Sequence, residues 1–366
     1  MKKTMFILLF ILIVISATTV IILNQAKFGK APLGDRLERI RKSANYRDGA
    51  FQNQHFTPMF AEGVSKLEMI KSGIFKVSKR KSPEKTLPSI KTNLKDLDPQ
   101  KDVLVWFGHS SYFMQIDGKR MLVDPVLSGC ASPFSFMVKS FEGSDVYSPA
   151  DFPPIDYLFI THDHWDHLDH STVMKLKVGK VITSLGTGAH FEHWGFAPDQ
   201  IIELDWNEQS VPDSGFTVAA TPGRHFSGRS FKRNQAFWAS FVLQTPTKKI
   251  FIGGDSGYDT HFAQIGNEHG PFDLALLECG QYNKAWKYIH MMPEETVQAA
   301  IDLKTKHFMP VHWGKFALAL HAWDESIERV TKEATRLNVP IRHPMIGETL
   351  DLDEPQQTSL WWKGLN

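Results

Sequence analysis

The chain has little cysteine, almost no net charge and no internal repeat. Its 366 residues include two cysteines, Cys130 and Cys279. They stand far apart, match no metal or redox spacing and sit in apolar contexts typical of buried free thiols. Neither a thiolate metal site nor a disulfide is expected. The 41 lysines and arginines balance 40 aspartates and glutamates, which argues against a nucleic-acid binder, a class marked by basic excess. No Gly-x-Ser-x-Gly string occurs, so the usual serine nucleophile elbow is missing. No cysteine ends the N-terminal apolar run, which removes a lipoprotein anchor.

What the chain does have is hydrophobic content of 42% and aromatic content of 12%, enough for a packed core in one large or two ordinary domains. It also has one long apolar run. Residues 5–23 are uncharged, follow Lys2 and Lys3 and end at Asn24. That length approaches the roughly 20 residues needed to cross a bilayer as a helix. No small-x-small cleavage site follows, so residues 1–24 are read as an uncleaved single-pass anchor rather than a signal peptide. A basic N-terminus held in the cytoplasm puts the body on the periplasmic side, although Lys27, Lys30, Arg36 and Arg39 make the other flank basic too.

Residues 25–100 read as a polar, irregular extension and linker packing on the core. Its apolar islands are Phe56, Met59 and Phe60, then Leu67, Met69, Ile70, Ile74 and Phe75, all expected to pack on the body. Lys76, Lys79, Arg80, Lys81, Lys85, Lys91 and Lys95 form a solvated basic stretch, which beside a membrane also attracts anionic lipid. Residues 101–350 are expected to form the catalytic domain and 351–366 a C-terminal tail.

From Asp102 the pattern alternates. Strands are expected at 103–107, 112–116, 120–123, 157–160, 181–183, 216–220, 236–243, 249–252, 274–277 and 307–311, with Asp117-Gly118 as a tight turn. Helices are expected at 294–303 and 325–337, and Ser171 as the cap of a short one. Strands outnumber helices and both persist to the end. This is an α+β pattern of two sheets with helices outside, not a doubly wound parallel sheet.

The informative count is sixteen histidines. Four of them fall in Thr161-His162-Asp163-His164-Trp165-Asp166-His167-Leu168-Asp169-His170, directly after an apolar strand. On an extended strand end His162 and His164 point to one side, as two ligands of one ion require. Asp166 and His167 follow on the turn and can reach a second ion. Three more candidates stand at strand ends: His225 after Pro222-Gly223, Asp255 in Gly253-Gly254-Asp255-Ser256-Gly257, and His312 in Pro310-Val311-His312-Trp313-Gly314. Imidazole with carboxylate suits Zn²⁺ and accepts Fe or Mn. A structural metal site usually closes with four ligands, whereas seven candidates imply an open, reactive pair of ions.

The motif series resembles the metallo-β-lactamase superfamily, and the longer strings resemble its branch of N-acylphosphatidylethanolamine-hydrolysing phospholipases D. Those strings include Trp106-Phe107-Gly108-His109-Ser110, Leu122-Val123-Asp124-Pro125, Gly254-Asp255-Ser256-Gly257-Tyr258, His290-Met291-Met292-Pro293-Glu294-Glu295 and His312-Trp313-Gly314-Lys315-Phe316. The resemblance covers residues 45–350. It implies an αββα sandwich with the site at one end of the sheets. It also implies one ion on His162, His164 and His225, a second on Asp166, His167 and His312, and Asp255 between them. His290 corresponds to a histidine near the reacting group, while Ile289 departs from the polar residue usual in that branch.

The expected activity is hydrolysis by a hydroxide shared between two ions, acting as a phospholipase D-type phosphodiesterase on N-acylphosphatidylethanolamine or a related phospholipid. A lactonase or another metal-dependent hydrolase is the alternative on the same site. Asp166 and His290 are the catalytic candidates, and His290 protonates the leaving group or orients the substrate. Arg224, Arg229 and His290 are candidate substrate contacts. Asp124 and His109 are expected to hold the ligands from behind. His170, His190, His193, His261 and His307 are read as structural or solvated. The expected partners are the phospholipid substrate and the membrane, without nucleic acid; a homodimer is compatible with the sequence.

Overall fold

The computed structural model describes residues 2–65, 67, 71, 78–354 and 358–365. Met69, Ile70, Ile74, Phe75 and Lys76, named above, lie outside the described residues. The first element, α1 (Lys2–Leu23), is apolar along nearly its whole length and long enough to cross a membrane. Only its last turn meets the body. Thr19, Ile22 and Leu23 are half-buried on one face, while the rest of the helix from residue 3 onward is exposed.

The extension is more ordered than its polar composition suggests. It forms α2 (Gly34–Lys42) and a hairpin of β1 (Tyr46–Arg47) and β2 (Ala50–Phe51). Arg36 pairs with Glu192 and Glu203 on the body, and Phe51 stacks on Phe237 at 4.4 Å. Helix α2 escapes sequence inspection because its anchorage is by ion pairs and one buried residue, Ile40, rather than an apolar stripe. The expected packing fails for Phe56, Leu67 and Met59, which are 88%, 60% and 43% exposed.

Two mixed sheets make the body. The first has seven strands: β3 (Val103–Trp106), β4 (Tyr112–Ile116), β5 (Lys119–Val123), β6 (Ile155–Ile160), β7 (Val178–Ser184), β8 (Ile201–Leu204) and, at its other edge beside β3, β15 (Thr349–Asp351). The second has six: β9 (Gln209–Asp213), β10 (Phe216–Thr221), β11 (Ser240–Gln244), β12 (Lys249–Ile252), β13 (Phe272–Glu278) and β14 (Thr305–Val311). Period-two alternation builds the layers. Leu104 and Trp106 join the large core that also takes in the second sheet. Val105 and Phe107 face the other way, into a core shared with Val173, Phe191 and Trp194. Helices Pro293–Asp302 and Glu325–Leu337 pack on each other, the first against β13 and β14. The result is an αββα sandwich.

Three sequence expectations need correction. Asp169, not Ser171, caps the short helix His170–Val173, because its carboxylate accepts the Ser171 N–H at 3.0 Å. The strand expected at 236–243 begins at Ser240, because the Phe237 and Ala239 N–H groups bond Leu185 and Thr161 of the other sheet's strand ends. The described residues of the expected C-terminal tail pack on the body. Asp351 pairs with Val103, and Trp361 and Trp362 pack against Trp313 in the core. Strands β8, β9 and β15 and helix His261–Glu268 are present without having been anticipated.

Topology gathers the functional residues. Strands β3, β5 and β6 run one way in the first sheet, and β10, β12, β13 and β14 run one way in the second. Their C-terminal ends meet along one edge, where His109, Asp124, the loop 161–170, His225, Asp255, Glu278 and His312 follow.

Candidate metal centre

Three imidazole nitrogens converge on one point. His162 Nε2 lies 2.9 Å and His225 Nε2 lies 3.2 Å from His164 Nδ1. Zinc–nitrogen bonds of about 2.0–2.1 Å in a tetrahedral shell put ligand nitrogens about 3.3 Å apart, so the spacing suits one ion. Beside this trio a second group gathers around Asp166. Its Oδ2 lies 2.9 Å from His109 Nε2, 3.3 Å from His312 Nε2 and 3.6 Å from His167 Nε2. Asp255 stands between the two groups. Its Oδ2 is 3.2 Å from His312 Nε2, 3.8 Å from His225 Nε2 and 3.9 Å from His162 Nε2, and its Oδ1 is 3.3 Å from His167 Nε2. The structure therefore brings together all seven residues selected from the sequence.

The outward nitrogens of these rings are held, which fixes where the others aim. Asp124 accepts from His167 Nδ1 at 2.8 Å and from the Thr161 N–H and Oγ1 at 2.9 and 2.6 Å. His225 Nδ1 donates to the Ile289 carbonyl at 2.9 Å and His312 Nδ1 to that of Gly280 at 3.3 Å. Such partners set the tautomer and leave the inner nitrogen as a lone-pair donor. His109 (φ 53°), Asp124 (φ 40°) and His312 (φ 70°) all adopt the left-handed region that non-glycine residues avoid. Strained backbone of this kind concentrates at functional sites. Here it coincides with cross-links between the sheets, in which His109 N–H bonds Trp313 O and His312 N–H bonds His109 O.

The electrostatics divide the site. Burial keeps His162 and His225 well below the ordinary imidazole range and takes His164 down to about 4. The trio is neutral, as nitrogen ligands must be. On the other side burial opposes protonation but the acids prevail. Asp255, with Asp166 and Glu278, raises His312 to about 10, and Asp255, Asp166 and Asp124 raise His167 well above its usual value. Asp166 and Asp255 themselves are held well below the carboxylate range by His167 and its neighbours, against the effect of their burial. Protons there balance two buried carboxylates, a charge that a bound cation would balance instead. His167 Nε2 and Asp255 Oδ1, both buried, lie 3.3 Å apart and have no hydrogen-bond partner among the described residues. Convergent nitrogens, orphaned inward atoms and buried acids together fit a metal centre.

His290 and Glu278 extend the site. His290 Nδ1 lies 2.6 Å from Glu278 Oε2, and Glu278 Oε1 accepts the N–H groups of Ser256 at 2.9 Å and Met291 at 3.1 Å. Glu278 was not singled out from the sequence. Its one signal is an acid closing the apolar strand 274–277. The N-cap position of the next helix is Met292, whose N–H Glu295 accepts, while His290 Nδ1 is engaged by Glu278. A cavity of about 210 Å³ opens over His164, Asp166, His225, Asp255, His290 and His312, bordered by Phe60, Trp286 and Leu318.

The two arginines are occupied elsewhere. Arg229 is buried on the Trp165 ring, 3.9 Å from its centroid, and donates to the carbonyls of Asp163, Leu168 and Lys27. Arg224 donates to Thr57 Oγ1 and the Phe56 carbonyl and pairs with Asp259. Their donors hold chain segments in place, which corrects the reading of both as candidate substrate contacts. Asp163, also unforeseen, ties His190 Nε2 and the Gly228 N–H to the histidine loop.

The beta-lactamase superfamily domain matches residues 119–313 of the chain. The chain belongs to the metallo-β-lactamase superfamily. Within it, the chain is 39% identical over 338 residues to an uncharacterized protein of Mycobacterium tuberculosis, covering 88% of each. It is 27% identical over 278 residues to an N-acyl-phosphatidylethanolamine-hydrolyzing phospholipase D of Caenorhabditis elegans, covering 68% of this chain and 77% of that one. The metallo hydrolase Igni18 of Ignicoccus hospitalis superposes with a TM-score of 0.53 at 20% identity, over 69% of this chain and 98% of that structure. The superfamily's metal-dependent hydrolases supply the general activity, and the candidate His/Asp cluster supplies its metal centre.

Proposed function

We propose that the chain is a membrane-anchored phosphodiesterase of the phospholipase D type. It holds two metal ions, zinc in the first place, and hydrolyses N-acylphosphatidylethanolamine or a related phospholipid. The observation that carries the reading is Asp255 standing between two groups of inward nitrogens, with a cavity directly over both. Likeness to the worm phospholipase supports the substrate class. The proposed ligands are His162, His164 and His225 for one ion, Asp166, His167 and His312 for the other, and Asp255 for both. Bound there, the ions supply a water-derived nucleophile at neutral pH and stabilise the charge that develops on phosphorus.

The chain's own residues do the rest. Asp124 and the carbonyls of Ile289 and Gly280 hold the rings in register. Water adds to phosphorus, the bond to the headgroup alcohol breaks, and the departing oxygen takes a proton. His290 is placed to give it. Glu278 engages Nδ1, which leaves Nε2 for the leaving group. Helix α1 serves as the anchor, with the catalytic body on the periplasmic side. The body proper begins near residue 101, with 25–100 wrapped against it.

The deciding experiment is metal content measured together with hydrolysis of phosphodiesters and lactones side by side. About two ions per chain and preference for the phosphodiester are expected. Preference for lactones would transfer the same centre to a lactonase. A purified chain without transition metal, indifferent to chelators and to metal replenishment, overturns the proposal.

A further inference from the structure

The end of α1 does not merely precede the body; it walls the site. A cavity of about 630 Å³ is lined by Thr19, Ile22 and Leu23 of α1 and also by His164 and Asp166. The three helix residues stand at i, i+3 and i+4, so they form one face of the last turn. The junction after the helix is clamped at several points. Trp194 Nε1 donates to Ala26 O at 2.7 Å, Lys27 Nζ to Pro133 O at 2.6 Å, and the Lys30 N–H to His190 Nδ1 at 3.0 Å. Phe28 meets Trp165 edge-on at 5.1 Å. Gly29, at φ +71°, lies so close that a Cβ there would sit 2.0 Å from the His190 ring. Arg229 joins this junction to the histidine loop, since one guanidinium donates to Lys27 O, Asp163 O and Leu168 O.

The same mouth carries an exposed apolar rim. Phe231 and Leu318, which line it, are 85% and 39% exposed, and Phe136, beside the lining residue Phe134, is 74% exposed. Phe134 stacks on Phe136 and lies under Lys27 Nζ. Lys30, Lys232 and Arg233 are exposed on the chain segments that flank the rim. Aromatics mixed with lysine and arginine are the composition of a surface seated at the lipid headgroup level. The 22 residues of α1 span about 33 Å as a helix, close to the hydrocarbon thickness of a bilayer. Its last turn then lies at the headgroup plane, and so does the cavity it walls.

We infer that α1 is a structural wall of the active-site mouth, which fixes the rim of Phe134, Phe136 and Phe231 on the bilayer. The phospholipid then reaches the centre laterally, its headgroup over His164 and Asp166 and its acyl chains along Thr19, Ile22 and Leu23. The inference rests on reading α1 as an anchor and the substrate as a phospholipid, but the docking can be measured without turnover. In full-length Cys130→Ser protein reconstituted into vesicles of zwitterionic and anionic phospholipid, a fluorophore is placed at Phe231→Cys. A control label at Ser214→Cys sits on the turn between β9 and β10, at the opposite end of the sheets. Quenchers carried on the lipid should quench the first label and spare the second. Equal exposure of both labels to water overturns the docking.

The second arm inserts a flexible glycine–serine segment after Asn24, which keeps the anchor but frees its last turn from the cavity. Hydrolysis of vesicle phospholipid should fall by about tenfold or more through lost positioning. Hydrolysis of the water-soluble bis(4-nitrophenyl) phosphate should stay as it was. Unchanged vesicle hydrolysis overturns the wall. Inactivity of the uninterrupted chain toward both phosphodiesters overturns the functional reading instead, and the quenching result then decides the docking by itself.

Discussion

Asp255 and His290 separate binding from chemistry at the scale of single residues. The two oxygens of Asp255 face both histidine groups, so Asp255→Ala should remove both ions together, as read by elemental analysis of the purified variant. Loss of one ion alone would place the other wholly within its own remaining ligands. His290 has a different signature. Its ring pairs with Glu278 rather than with the inner nitrogens, so His290→Ala should keep its metals. Turnover of a phospholipid should fall by about 10²- to 10⁴-fold, the range of general acid–base assistance. A nitrophenyl leaving group needs no proton and should suffer much less, and equal losses on both substrates would take His290 out of the chemistry. At this scale legibility depended on sequence clustering. His162, His164, Asp166 and His167 share one short loop, so the pattern is readable without a fold. Glu278 is not readable in that way, because its partners at 256, 290 and 291 come from separate segments that only the sandwich joins.

Elements, rather than residues, explain why Arg229 and Arg224 misled. An arginine beside a candidate ligand looks like an anion contact until its donors are traced. Arg229 bonds three backbone carbonyls on two segments, the junction after α1 and the histidine loop. Burial takes its guanidinium down to about 10, with Asp163 and Asp169 opposing that fall. Arg229→Leu would leave those carbonyls unpaired in a buried place, at about 1–3 kcal/mol for each group left without a partner. We expect an unfolding free energy lower by about 3 kcal/mol or more on that basis, with metal content reduced even at temperatures where the variant is folded. A variant as stable and as metal-rich as the parent would show that the clamp is incidental. Strand positions are legible where short apolar runs flank a tight turn, as β4 and β5 do around Asp117-Gly118. They blur at 236–239, where buried apolar residues pair across sheets instead of along one. Helix α2 and strand β15 are hidden for a related reason, since each depends on a partner distant in the chain.

For the whole molecule the informative asymmetry is between α1 and everything else. Among the described residues the body has three buried apolar clusters, and none of their members comes from α1. Every proposed ligand follows residue 160, and α1 touches the body through a single turn. Deleting residues 1–24 should therefore give a soluble chain with its metals in place and an unfolding midpoint close to the parent's. Retention of the junction at Ala26, Lys27 and Lys30 keeps Trp194, Arg229 and His190 satisfied, which is why the cut belongs before Gln25 and not after it. Activity on a short-chain or detergent-dispersed phosphodiester should survive. Activity on vesicles should drop, because the truncated chain loses both its residence on the bilayer and the wall formed by Thr19, Ile22 and Leu23. A truncated chain that folds without metals would mean that α1 organises the centre itself. Circular dichroism with elemental analysis distinguishes that outcome from simple misfolding.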